Sequence, residues 1–199
     1  MGDESVFRCA VAAFAGTEGN NVIVRRESIT KTTCPCLITA GQAFGKMNGG
    51  VDGVVNTFLS SHTPHEYVDQ RVKRVIQDEC AGELNVGQAV VVRTAHPVVR
   101  HLVYVATMRV PEPVPDTLNA YYAFRAALVA ALKTGAGTSD DLSVATPLMC
   151  TGAGQMPVER ACRQMRAAYD SVITGGDVRH SFPEIWAKHR ALVRRCSRP

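Results

Sequence analysis

The chain has 199 residues, 46% of them hydrophobic and 20% charged, which suffices for one domain with a sizeable core. No run of about 18 apolar residues occurs, so no membrane span is expected. The acidic start Met1-Gly2-Asp3-Glu4 lacks the basic opening of a signal peptide and the Ser or Thr that N-myristoylation needs. Seven cysteines, an odd number with no CxxC pair, point to free thiols and an intracellular, reducing compartment, cytoplasm or nucleus.

In chain order, residues 7–14 and 22–25 read as opening strands separated by the turn 16–21, a hairpin or a sheet corner. Residues 36–40 read as a buried strand, followed by a short helix from Asp52 to about Leu59. Thr63-Pro64-His65-Glu66 has the form of a capping box, and Val68, Val72, Val75 and Ile76 then recur at helix spacing up to about Cys80. Residues 88–94 and 102–108 are β-branched strands. A helix from Asp116 or Thr117 runs to the glycines at 135–137, and residues 142–149 form a further strand. The next helix buries Val158, Ala161, Cys162, Met165, Ala168 and Tyr169. Ser181-Phe182-Pro183-Glu184 is a second capping box, opening a last helix with Ile185, Trp186, His189, Leu192 and Val193 inward. Alternating strands and helices imply a three-layer α/β architecture in a single domain spanning 1–199.

Two of the strand-to-helix connections are rich in glycine. Residues 37–53 read LITAGQAFGKMNGGVDG, with one carboxylate at Asp52, and residues 150–156 read CTGAGQM ahead of Pro157, which suits a first helical position. A strand that stops at glycines and restarts as a helix aims backbone N–H groups outward, and two such loops could hold one diphosphate between them. The same glycines also serve ordinary turns, and Asp52 could equally be a plain helix cap. Neither loop is a P-loop or a GxGxxG dinucleotide fingerprint.

The order and content of these loops resemble the macrodomain family of ADP-ribose-binding modules, in its phage and bacterial branch. The family's first loop reads like NAAN and then GGGV with Asp-Gly; Thr39-Ala40-Gly41-Gln42 and Asn48-Gly49-Gly50-Val51-Asp52-Gly53 stand in those places. Its second loop, GTG with a proline after three variable residues, is matched by Cys150-Thr151-Gly152 through Pro157, and Ile29-Thr30-Lys31 falls at its Gly-Asp-Ile-Thr turn. Gly82-Glu83-Leu84-Asn85 and Ala106-Thr107-Met108-Arg109 are similar to the phage and bacterial branch.

The resemblance implies a three-layer α/β/α fold with a mixed central sheet, a core at about 5–170 and an extra C-terminal helix at about 171–199. It implies ADP-ribose, or an ADP-ribosylated protein or nucleic acid, as partner, and no cofactor. The binding residues carried over are Ser28, Ile29, Ala40, Gly41, Gly49, Gly50, Val51, Cys150, Thr151, Gly152, Ala153, Gly154, Gln155 and Met156. In the hydrolases of the family the aspartate matching Asp52 positions a water at the distal ribose, where a carboxylate also stabilises oxocarbenium character. Asp52 and Gln42 are therefore the candidate catalytic pair, in an enzyme removing mono-ADP-ribose. Two departures favour a non-catalytic reader instead: Gln42 replaces the ribose-binding Asn, and Ser28 replaces the Asp that accepts the adenine amino proton.

His62 and His65 are spaced like metal ligands but lack partners, so no metal is expected. Cys150 precedes a helix N-terminus, where a thiolate nucleophile could form; the family tolerates Gly, Ser or Ala there and uses no covalent chemistry. From residue 158 onward nine Arg or Lys face four acids, a local net charge of +5 against +4 for the chain. Such a segment is ordinarily a solvated helix face and alternatively a nucleic-acid-binding surface.

Overall fold

A computed structural model describes residues 3–17, 22–62, 66–135, 143–175 and 181–194. Among these residues four strands form a mixed sheet in the order β2-β3-β1-β4, from β1 (Cys36–Gln42), β2 (Ala89–Arg93), β3 (His101–Met108) and β4 (Val144–Ala145). β1 runs parallel to β3 and β4, and β2 is antiparallel to β3. The central strands read as near-continuous apolar runs because helices cover both faces, whereas edge strand β2 alternates.

α2 (Gly50–Ser60) and α3 (Val68–Cys80) cover one face over Leu37, Leu102 and Tyr104. α4 (Asn119–Thr134) and α5 (Val158–Ile173) cover the other over Ile38, Val103 and Val105. Leu37 and Ile38 are neighbours in sequence and point to opposite layers, as strand alternation requires. Each is fully buried, contributing on the order of 2 kcal/mol. The result is the expected three-layer α/β/α arrangement with a mixed sheet.

Residues 7–13 are helical, not a strand, and Phe14 is the C-cap. Asp3 accepts the Ser5 N–H at 2.9 Å and caps α1 (Glu4–Ala13), which packs on α5 with Phe14 edge-on to Tyr169 at 6.1 Å. Residues 22–25 join no sheet, so there is no opening hairpin; 18–21 of the expected turn lie outside the described residues. α3 begins at Val68 with Tyr67 as N-cap. Glu66 therefore precedes the helix, where it pairs with Arg71 and Arg74; Thr63–His65, the rest of the expected capping box, lie outside the described residues. Of the strand expected over 142–149, residue 142 lies outside the described residues and the rest forms only β4, because Pro147 has no N–H to give a ladder.

The second capping box is present: α6 (Phe182–Val193) starts at Ser181, whose N–H and hydroxyl both bond Glu184 Oε2 at 2.7 Å. Its expected inward face is mostly outward. Only Leu192 is buried, while Phe182 and Trp186 are 69% and 49% exposed. Phe182, Trp186 and His189 cover one another edge-to-face instead of packing on the body. No helix among the described residues is long and apolar enough to cross a membrane.

Candidate functional site

Because β1, β3 and β4 are parallel, the connections that follow them leave one edge of the sheet. That edge is where open α/β sheets bind ligands. The first loop, 43–49, ends at Gly49, an N-cap in extended conformation with no side chain to bond the helix start. Gly50 follows at φ +53°, a left-handed conformation that glycine adopts without steric cost. The first α2 residue whose N–H finds a backbone acceptor is Gly53, bonded to Gly49 O at 3.1 Å. The N–H groups of Gly50, Val51 and Asp52 have no acceptor among the described residues and lie at the positive end of the helix dipole.

In the second loop, Gln155 N–H bonds Gly152 O and Met156 N–H bonds Cys150 O, both at 2.9 Å. The N–H groups of 151–154 have no backbone acceptor among the described residues. Cys150 and Gln155 both take positive φ, +63° and +49°, so the loop holds two non-glycine residues in a costly conformation. Both loops thus present rows of free N–H groups at one sheet edge.

Asp52 is not a surface cap. It is 9% exposed, and its Oδ1 accepts the Thr39 hydroxyl at 2.7 Å, reaching from α2 back to β1. Burial pushes its carboxyl up to about 7, against a smaller lowering by the Thr39 hydrogen bond. Gly41 lies against it: a Cβ there would sit 2.5 Å from Asp52 Oδ2 and would run into the Tyr104 hydroxyl. Tyr104 donates to Gln42 O at 2.7 Å, and burial together with the Asp52 charge holds its phenol well above the usual range.

Gln42 is 9% exposed, and its side-chain carbonyl accepts the Phe44 N–H. The longer amide is thereby folded back onto its own loop. β1 bulges here, with Gly41 facing Ala106 and Gln42 facing Met108; the skipped Thr107 donates to Gly41 O at 3.0 Å. Asn119 in turn donates to Thr107 O at 2.8 Å.

Of the remaining sequence-derived site residues, Gly49, Gly50, Val51, Gly152, Ala153 and Gln155 are exposed on the loops, and Ala40 and Thr151 are half-buried. Cys150, Gly154 and Met156 are buried and shape the second loop from beneath. Burial raises the Cys150 thiol to about 12, which suits a packing residue and not a thiolate nucleophile. Ser28 is exposed and caps the 3-10 turn Ile29–Lys31, with its Oγ bonded to Thr30; Ile29 packs toward α2. Thr39, which holds Asp52, and Tyr104, which holds the Gln42 carbonyl, were not among the site residues expected from the sequence. Their signal was a hydroxyl within a mostly apolar strand, Thr39 in β1 and Tyr104 beside Thr107 in β3.

Three basic side chains of the C-terminal segment are structural rather than solvated. Arg160 is buried against Asp116; Arg163 donates to Arg194 O; Arg166 pairs with Asp170 and donates to the carbonyls of Ala13 and Ala15. His62 meets the His96 ring at 4.5 Å, and among the described residues no group of three or more potential metal ligands comes together. None of the six described cysteines forms a disulfide, Cys34 and Cys36 included.

No family model and no curated protein matches the sequence. Solved structures do. The macrodomain of Mycobacterium tuberculosis DarG is 14% identical with a TM-score of 0.59, covering 73% of this chain and 88% of that one. A mutant Oceanobacillus iheyensis macrodomain with ADPR is 16% identical with a TM-score of 0.59, covering 85% and 91%. The Trypanosoma brucei macrodomain in complex with ADP is 18% identical with a TM-score of 0.52, covering 76% and 57%. With two helical layers around a mixed sheet and paired glycine loops at one strand edge, this chain has the macrodomain fold.

Proposed function

We propose that this protein binds ADP-ribose, free or attached to a protein, at the edge formed by the two glycine loops. The observation that carries the reading is the pair of open N–H rows, at 50–52 and 151–154, in the connections that follow the adjacent parallel strands β1 and β4. A diphosphate supplies the anionic oxygens those donors lack, and a helix N-terminus favours its charge. The structural relatives with ADPR and with ADP support the same ligand chemistry. An odd number of cysteines with no CxxC pair supports action in a reducing, intracellular compartment.

Titration calorimetry with ADP-ribose tests this. Wild type is expected to bind in the micromolar range, as a polar, partly exposed cleft does, and Gly50→Glu, which puts an anion where the phosphates sit, to lose binding. Unchanged affinity in Gly50→Glu refutes the assignment.

A second reading, removal of mono-ADP-ribose, is favoured by Asp52. Among the described residues no donor bonds its Oδ2, and a carboxyl near 7 is matched to taking a proton from water at neutral pH. Against it stands Gln42, whose amide oxygen is already engaged by Phe44 N–H. Release of ADP-ribose from a modified protein separates the readings. In a hydrolase, Asp52→Ala lowers kcat by about 100-fold or more with little change in ADP-ribose affinity; a reader has no turnover to lose.

A further inference from the structure

Arg160, in the first turn of α5, is 2% exposed, and a guanidinium buried that deeply is tolerated only where acceptors meet it. Its Nη1 donates to Pro115 O and to Asp116 Oδ1 at 2.7 Å; its Nη2 donates to Val193 O at 3.4 Å and Arg194 O at 3.1 Å. Pro115 and Asp116 belong to the connection between β3 and α4. Val193 and Arg194 are the end of α6 and its C-cap, whose carbonyls have no helical partner of their own. One side chain therefore fastens both the C-terminal helix and this connection to α5.

The connection in turn holds the second glycine loop. Val114, next to Pro115, donates its N–H to Gly154 O at 2.7 Å, and Val114 Cγ2 stands 3.0 Å from where a Gly154 Cβ would be. Thr117 Oγ1 donates to Val114 O at 2.9 Å, and the fully buried Gln164 donates to Thr117 O at 2.7 Å. From α6 to the loop the chain of contacts is Arg194 O, Arg160, Pro115, Val114 and Gly154. Arg160 Nε is already buried without a partner among the described residues, so if α6 leaves and Nη2 loses both acceptors, only Nη1 stays bonded and the guanidinium must turn away from Pro115 to regain partners.

We infer that Arg160 is a positioning residue that couples the docking of α6 to the shape of the second glycine loop, so that release of α6 weakens ligand binding at the sheet edge. The ligand part rests on the ADP-ribose reading above; the coupling does not. Two full-length variants test it. Leu192→Glu removes the buried side chain of α6, and Arg160→Lys keeps the charge but replaces a planar fork by one ammonium that cannot serve acceptors on both elements.

Native-state amide exchange is the primary readout. In both variants Val114 and Met156 are expected to exchange about 10-fold faster or more, while β1 and β3 keep their wild-type rates. ADP-ribose affinity is expected to fall about 5-fold or more in each, and the double variant to be no weaker than the poorer single, as for two lesions in one pathway. Wild-type exchange at Val114 in either folded variant overturns the coupling, as does acceleration shared equally by β1 and β3, which would mark general loss of stability. Should Leu192→Glu not fold, Arg160→Lys decides alone. If wild type binds no ADP-ribose, the functional reading fails while the exchange result still decides the coupling.

Discussion

Thr39 on β1 donates its hydroxyl to Asp52 on α2 at 2.7 Å, so the carboxylate at the start of the helix is turned into the protein and held by the sheet. The helix N-terminus thereby keeps its first N–H groups open, while the acid that would ordinarily cap it sits buried beside Gly41.

This burial makes stability depend on pH. The Asp52 carboxyl moves from an ordinary value of 3.8 up to about 7, so between those values the folded state keeps a proton that the unfolded chain releases. Its contribution is complete below about pH 4 and is lost as pH rises through 7. Asp52→Asn keeps an acceptor for Thr39 and does not titrate. Its stability relative to wild type is expected to rise between pH 4 and pH 8 by as much as about 4 kcal/mol. Urea denaturation of both proteins at the two pH values checks this, and a gap that stays constant contradicts it.

Gly41→Ala places a methyl group against Asp52 Oδ2 and the Tyr104 hydroxyl, both in fully packed surroundings. A loss of about 1–3 kcal/mol is expected, as for other overpacked cores. Removing the hydroxyl lifts the nearest of these clashes and leaves those with Asp52 Oδ2 and Tyr104 Cζ. Measured in a Tyr104→Phe background, the same substitution should therefore cost less, and equal costs in the two backgrounds would show that the crowding lies elsewhere.

The parts of the fold that announce themselves in sequence are those with one dominant local cause. β1, β3, α3, α4 and α5 carry apolar runs or helix-spaced apolar stripes, and Ser181 with Glu184 forms a capping box that local chemistry alone determines. Residues 7–14, FRCAVAAF, are ambiguous because a short apolar run fits strand and helix alike. The deciding residue is Asp3, outside the run, whose cap starts α1. The outward turn of Trp186 depends on where α6 docks, which Arg160 and Leu192 govern from a distance. At the site, the glycine loops were legible, but the burial of Asp52 and the folding back of Gln42 were not. Both depend on partners, Thr39 and Phe44, that a spacing rule does not weigh.

Ser28 caps the 3-10 turn next to α2 with an uncharged oxygen. Aspartate is as good a cap and can accept an amino proton with charge assistance. Ser28→Asp is expected to leave stability unchanged and to tighten ADP-ribose by roughly 1 kcal/mol, read by calorimetry. Unchanged or weaker binding means that the adenine is held elsewhere.

The measurement that bears most directly on the central claim is a titration of the amide resonances of the ¹⁵N-labelled protein with ADP-ribose. The expected result is that Gly50, Val51 and Asp52 shift together with Thr151, Gly152 and Ala153 along one binding curve, because both rows of open N–H groups grip the same diphosphate. Shifts confined to one loop, or centred instead on the 560 Å³ groove between α4, α5 and α6, would contradict it.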